Sequence, residues 1–373
     1  MTTMISLILG LVATGLVISL VVTHRARAVA RRTGALDSAG SPGHVKKLRA
    51  VPNNGGIGIY LAIALPIAAG LIAVWVLDAG WWRAQLPAVA EHLERIRQST
   101  PTAIAMLASM TVLYVIGAID DCRPLGPVPK LVAQLAVAAT MSIWFDVRLL
   151  ESQGMPAWGS VLLTIVWIVA VTNAINFMDN MDGLAAGVSA IAASLFMVAC
   201  IVNHQWFIAS TLALLIGGSV GFLVFNFPPA TIFMGDRGSL VIGFVLAVLT
   251  VRTTYVHPEL GGGWYGVFMP LIVLAIPLYD LVTVTLTRLK QGRSPFVGDQ
   301  QHFSHRLVAR GMSTRGAVIV IWSATAVTGI GGVALGSLLG WQAVLVAVQT
   351  LLVLAMIALF EHASRRAVGK HEP

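Results

Sequence analysis

Asp120 and Asp121 stand side by side in VIGAIDDCRPLG, at the end of an apolar run. Two carboxylates that close repel one another unless a cation or a proton resolves the conflict. Hard oxygen pairs of this kind suit Mg²⁺, which takes one or two protein carboxylates and completes its shell with water and phosphate. The stretch NAINFMDNMDGL (173–184) mixes carboxylates with amides at Asn176, Asp179, Asn180 and Asp182. Read as helix, Asn176, Asp179 and Asp182 fan along adjacent faces of one turn. Amides donate as well as accept, so the set suits a cation beside a polar organic ligand. FMGDRGSL places Asp236 between Gly235 and Arg237-Gly238-Ser239, where glycine permits close backbone approach and a helix start favours phosphate. DQQHFSHRL adds Asp299, with His302 and His305 three residues apart and Arg293 and Arg306 nearby. Imidazoles beside arginines suit a diphosphate better than zinc, for which cysteine partners are missing. Lys130 is a further phosphate contact or a lysine snorkelling at a span end. The ordinary alternatives are a solvated helix-end pair at 120–121, capping by the Asn/Asp cluster, and an N-cap at Asp236.

The elements that must carry these residues follow from composition. The 373-residue chain is 57% hydrophobic and 11% charged, with a mean hydropathy of +0.83, whereas a soluble domain carries about a quarter charged residues. Apolar runs recur from end to end and predict an all-α, polytopic integral membrane helix bundle of about ten or eleven transmembrane helices. Spans are expected near 4–23, 55–77, 103–119, 130–147, 159–176, 183–202, 206–225, 238–251, 266–287, 316–337 and 340–360. The first run has no basic residue before it and no small-residue cleavage pattern after it, so it reads as a retained span. With the 24–54 loop in the cytoplasm, all but Arg83, Arg95, Arg97, Arg148 and Arg252 of the 24 Lys and Arg fall on that side. That asymmetry predicts the N-terminus outside and the C-terminus inside. It also accounts for the net charge of +8 without nucleic acid as a partner. Asp120, Asp121, Asp179, Asp182, Asp236 and Asp299 then share the cytoplasmic face. The chain reads as a single domain, 1–373, whose cytoplasmic loops 24–54, 120–130, 176–183, 226–238 and 288–315 converge on one cavity. The external segment 78–102 carries a short surface helix in AVAEHLERIRQ beside Trp75, Trp81 and Trp82, an interfacial belt. Cys122 and Cys200 read as free thiols.

No nucleotide fingerprint of the form GxxxxGK[ST] or GxGxxG stands out. Spacing alone leads to Mg²⁺-dependent transfer of a phosphorylated group to or from a lipid at the membrane surface. Asp120-Asp121, NAINFMDNMDGLAAG, FNFPPATIFMGDRGS and DQQHFSHRL, in that order and with PNNGG at 52–56, resemble the polyprenyl-phosphate N-acetylhexosamine-1-phosphate transferases. The resemblance covers roughly residues 20–310. It lies nearer the undecaprenyl-phosphate GlcNAc-1-phosphate branch than the phospho-MurNAc-pentapeptide branch. It implies a multi-pass protein of the inner (plasma) membrane with a cytoplasmic active site. The implied reaction takes N-acetylhexosamine-1-phosphate, GlcNAc-1-phosphate first, from a UDP-N-acetylhexosamine to polyprenyl phosphate and releases UMP. The product would be the first lipid intermediate of a cell-envelope glycan. By position it implies Asp236 and Asn176 as ligands of Mg²⁺, with Mn²⁺ the alternative ion. Asp120 would orient or deprotonate the lipid phosphate with support from Asp121, and Lys130 would contact phosphate. Asp179, Asp182, Asn180 and Asn226 fall at the nucleotide, and His302, His305 and Arg306 at the diphosphate or sugar end. Relatives often form homodimers. The chain departs from the family's pattern at Ser304, which replaces the middle histidine of its motif, and at Asn180, where glycine is frequent. It also has Lys47 in place of a histidine before PNNGG.

Two other classes fit parts of the sequence. CDP-alcohol phosphotransferases carry DGxxAR, which Asp182-Gly183-Leu184-Ala185-Ala186 begins, but Gly187 stands where the arginine belongs. An ion-coupled transporter would place ionisable groups near the membrane midplane, whereas most lie at the cytoplasmic ends. Asp280, within the ninth expected span, is the exception and reads as a buried structural partner, with Arg288 as the candidate counter-ion.

Overall fold

The computed structural model describes residues 1–33, 51–253, 255, 263–292, 294 and 302–363. Lys47, Arg293 and Asp299 lie outside the described residues. The described chain is helical and without strands. Its helices are α1 (Thr2–Thr33), α2 (Gly56–Val76), α3 (Ala79–Gln85), α4 (Pro87–Ala90), α5 (Leu93–Cys122), α6 (Pro127–Trp144), α7 (Ala157–Met178), α8 (Leu184–Val202) and α9 (Trp206–Asn226). There follow α10 (Asp236–Arg252), α11 (Met269–Val273), α12 (Ala275–Lys290), α13 (Phe303–Ala309), α14 (Thr314–Ala334) and α15 (Gly340–Ala363). Each of the eleven expected spans is helix.

Eight helices among the described residues are long and apolar enough to cross a membrane, and the pair formed by Trp264–Val273 with α12, bent by 66°, makes a ninth. The two remaining candidates are α6 and α10. Lys130, Gln134 and two prolines dilute the apolar character of α6. Only 17 residues form α10, which carries charge at both ends. Nevertheless α10 is the most enclosed helix, with every residue from Gly238 to Thr250 buried. It packs against α7, α5 and α2, so its neighbours rather than lipid surround it. By contrast, Leu9 and Val17 of α1 and Leu352 and Met356 of α15 are all more than half exposed, as lipid-facing side chains are.

Without a hydrophobic drive between helices in lipid, small residues decide how closely they approach. At the α1–α9 crossing, Ser19 Oγ donates to the Gly218 carbonyl at 2.7 Å. A side chain at Gly217 would overlap the Val12 carbonyl oxygen. Gly217→Leu is therefore expected to part α1 from α9 and cost about 1–3 kcal/mol or more. A melting curve in detergent no different from wild type would refute this.

At the N-terminal end of α5, the expected surface helix divides between α4 and the first turn of α5. The short helices α3 and α4 lie over Val74, Trp82 and Leu93, which form a small apolar cluster. The 30 residues of α5 rise about 45 Å, more than the ~30 Å hydrocarbon core, so both of its ends emerge. Asp120 and Asp121 occupy the other emerging end. Cys122 and Cys200 are free.

Candidate active site

One end of the bundle gathers the C-terminal ends of α5, α7 and α9 and the starts of α6, α8, α10 and α14. The chain reverses between α5 and α6 through Arg123-Pro124-Leu125-Gly126, with Gly126 at φ +76°. Asp120 Oδ1 accepts from the Leu125 backbone N–H at 2.8 Å and secures the reversal. Lys130, in the first turn of α6, is thereby brought back over the end of α5. Its ammonium donates to Asp120 Oδ2 at 3.0 Å and to Asp236 Oδ2 at 2.7 Å. Asn176 Nδ2 donates to Asp236 Oδ1 at 3.0 Å and to Ser239 Oγ at 2.8 Å. Asp120, Lys130, Asp236 and Asn176 thus form one continuous chain of contacts across α5, α6, α10 and α7. Burial alone would raise the Asp236 carboxyl, but Lys130, followed by Asn176, outweighs it and holds the group below the usual carboxylate range.

Asp121 has a different task. Its Oδ1 accepts from the Asp236 N–H at 2.8 Å, and its Oδ2 pairs with Arg237 Nε at 2.7 Å and takes the Arg237 N–H at 3.3 Å. It therefore caps the start of α10 from the neighbouring helix, and fixes where Asp236 begins. Gly235, at φ +71°, sits so close that any Cβ there would overlap the Asp121 carboxylate. PNNGG supports the same corner: the Gly55 and Gly56 N–H groups donate to the carbonyls of Phe233 and Met234 at 2.9 and 3.1 Å.

The stretch 173–184 is not one helical turn of donors. Helix α7 ends at Met178, Asp179 follows as its C-cap, and Gly183 turns the chain at φ +76° into α8. Past the break, Asn180 and Asp182 make side-chain hydrogen bonds that hold the turn. Asn180 accepts from Ser304 Oγ at 2.6 Å and donates to the Phe177 carbonyl at 2.6 Å. Asp182 Oδ2 accepts from the Ala230 N–H at 2.9 Å. Asn226, buried, accepts from the Gly183 N–H and donates to the Ile232 carbonyl, each at 2.9 Å. Asp182 and Asn226 thus shape the 227–235 loop that delivers Asp236. Asn173 turns away from the mouth, donating to Gln134 of α6 and to the Val169 carbonyl.

His302 precedes α13 rather than lying in it, so His302 and His305 are not helical neighbours; their rings lie 6.5 Å apart. His302 Nδ1 meets Asp280 Oδ2 at 2.7 Å, and Asp280 Oδ1 accepts from the Phe303 N–H at 3.1 Å. Asp280 therefore serves the histidine segment, with Arg288 two turns further along α12 and over the Phe177 ring at 5.3 Å. Phe177 also meets the His302 ring edge-on at 5.5 Å. Arg306 follows in α13. Three residues at and just beyond the end of α7 thus join the two halves: Asn176 hydrogen-bonds to Asp236, Phe177 packs against the His302 ring, and Asn180 accepts from Ser304.

Chemically, the first half offers two carboxylates around a single ammonium, with the Asn176 amide on the other oxygen of Asp236. That gap already accommodates a positive charge, and its donors are the hard oxygens that Mg²⁺ takes. No group of three His, Cys, Asp or Glu among the described residues is placed to hold a metal ion, so such an ion would draw much of its shell from water and phosphate. Arg237, Ser239 and Asp280 were not assigned to the site from sequence alone. The signal for Asp280 was present, an acidic residue inside an apolar span; Arg237 and Ser239 gave none beyond proximity to Asp236.

The family profile described as glycosyl transferase family 4 matches residues 103–254, a stretch that contains the whole Asp120–Asp236 cluster. A Bacillus subtilis (strain 168) protein described as a probable undecaprenyl-phosphate N-acetylglucosaminyl 1-phosphate transferase is 29% identical over 91% of this chain and 88% of its own. The decaprenyl-phosphate N-acetylglucosaminephosphotransferase of Mycobacterium leprae is 31% identical over 73% of this chain and 70% of its own. The undecaprenyl-phosphate alpha-N-acetylglucosaminyl 1-phosphate transferase of Escherichia coli K12 is 28% identical over 81% and 76%.

Proposed function

Because the chain belongs to glycosyl transferase family 4, the polyprenyl-phosphate N-acetylhexosamine-1-phosphate transferases, we propose that it moves GlcNAc-1-phosphate from UDP-GlcNAc to polyprenyl phosphate and releases UMP. The observation that supports this most is the contact chain Asp120–Lys130–Asp236–Asn176 at one end of a membrane bundle. It offers an anion-binding cation and hard oxygen donors where a membrane-borne phosphate and a soluble nucleotide could meet. The positive-inside distribution of Lys and Arg supports the cytoplasmic side of the inner membrane for this end, with the N-terminus outside.

In this reading Asp236, and Asn176 with its amide turned so that the oxygen replaces Nδ2 beside Asp236, would hold Mg²⁺, which when bound neutralises diphosphate charge and so favours its approach by a second phosphate. Lys130, released from its carboxylates by the incoming charge, binds a phosphate oxygen. Asp120 orients the lipid phosphate beside Lys130. An oxygen of the lipid phosphate attacks the sugar-linked phosphorus, a P–O bond forms, and the bridging P–O bond breaks as UMP departs. In this reading attack is direct rather than through an aspartyl intermediate on Asp120. His302, His305 and Arg306 steady the diphosphate and sugar, while the 179–182 turn meets the nucleotide. An apolar groove of about 920 Å³ between α5 and α6, lined by Ile104, Val112, Val137 and Phe145, could seat prenyl units. Its Val112 lies some two helical turns, about 12 Å, from Asp120.

Purified protein given UDP-GlcNAc, Mg²⁺ and undecaprenyl phosphate is expected to release UMP and to prefer UDP-GlcNAc over UDP-GalNAc. Absence of UMP with every UDP-N-acetylhexosamine would sink the reading, and solute uptake by sealed vesicles would point to a transporter instead.

A further inference from the structure

Asp280 has no part in the reaction just described, yet it is fully buried within α12. A carboxylate at such depth is costly unless paired, and its partners indicate what it does. Oδ2 lies 2.7 Å from His302 Nδ1, while Oδ1 takes the Phe303 N–H at the start of α13. A carboxylate has no proton to give, so the proton in the first contact sits on Nδ1. That leaves Nε2 as the ring nitrogen available to a ligand. The ring cannot turn to exchange them, because Phe177 packs edge-on against it at 5.5 Å and 86° and Ser304 anchors the same segment to Asn180.

We infer that Asp280 is a positioning residue: it fixes the tautomer and orientation of His302, so that Nε2, the unprotonated acceptor, is the atom offered to a hydroxyl or amide N–H of the substrate's sugar. The inference rests on the reading of His302 as a group at the sugar end of the substrate. A purely structural role, capping α13, would need only the oxygen that accepts from Phe303.

Asp280→Asn separates the two. Its amide oxygen can still accept from Phe303, but its NH₂ donates to Nδ1 and moves the ring proton to Nε2. The variant is expected to melt within about 2 °C of wild type, to lose at least about tenfold in kcat for UMP release, and to change KM for UDP-GlcNAc by less than about threefold. Long-range ¹H–¹⁵N spectra of ring-labelled protein, with His302 assigned by His302→Gln, are expected to show the Nδ1–H form in wild type. That form is read without any Asp280 variant, so a folding defect does not remove the test. An Nε2–H ring in wild type, or wild-type kcat in Asp280→Asn, would overturn the inference. If wild type itself released no UMP, the transferase reading would fail while the tautomer result stood.

Discussion

Asp236→Asn is expected to lower UMP release by roughly 10²–10³-fold or more. The side chain keeps its volume and can still reach Lys130 and Asn176, so the start of α10 should hold its place. What disappears is the negative charge that receives the Lys130 ammonium at 2.7 Å and the amide of Asn176 at 3.0 Å. If Asp236 also holds the divalent ion, the variant will bind Mn²⁺ more weakly in the absence of any substrate, as electron paramagnetic resonance titration would read. Wild-type turnover would refute both roles, and unchanged Mn²⁺ affinity alongside lost turnover would leave Asp236 the placing of Lys130 without metal binding.

Asp121→Ala should damage the protein in another way. Its carboxylate, only 5% exposed, pairs with an Arg237 guanidinium that is 13% exposed, and it accepts from two backbone N–H groups at the start of α10. Removing one partner of a buried pair costs about 3–5 kcal/mol, because the other is left without compensation. Melting in detergent should therefore fall markedly, and turnover should fall with it as Asp236 loses its anchor. Asp121→Asn, which still accepts hydrogen bonds, should lose less on both counts. An Asp121→Asn protein that melts like wild type yet is as inactive as Asp236→Asn would mean that Asp121 acts directly on substrate.

These two neighbours illustrate what could be read before the fold was seen. Hydropathy marked the span-length helices that carry the site, because apolar runs of that length have few other uses, but it did not mark the seven-residue α13 that holds His305 and Arg306. The pairing of Asp120 with Lys130 was half legible, since a short Pro/Gly-rich return makes their approach natural. The division of labour between Asp120 and Asp121 was not. Adjacent residues at a helix end point about 100° apart, and only the position of α10 decides which one meets its backbone. Asn226 and Asp182 stand at the nucleotide by resemblance, and the structure adds a loop-shaping task that their residue types do not reveal: Asn226 bonds to the Gly183 N–H and the Ile232 carbonyl, and one Asp182 oxygen to the Ala230 N–H. Likewise, Asn180 and Ser304 depart from the usual residues of the family at positions 124 apart in sequence, yet they hydrogen-bond to each other. A single chain read alone carries no hint of that pairing.

All of the chemistry described lies at one end of the bundle, and this makes the protein one-sided. Among the described residues, a nucleotide delivered to the opposite end would meet the short helices α3 and α4 and the helix ends beside them, and no matching constellation. The headgroup built at the loop-bearing end would bear two phosphates and a sugar, and ionised groups do not readily cross the hydrocarbon core. The new lipid would therefore stay in the leaflet where it was made. Any use of its sugar on the far side of the membrane requires a separate translocation step.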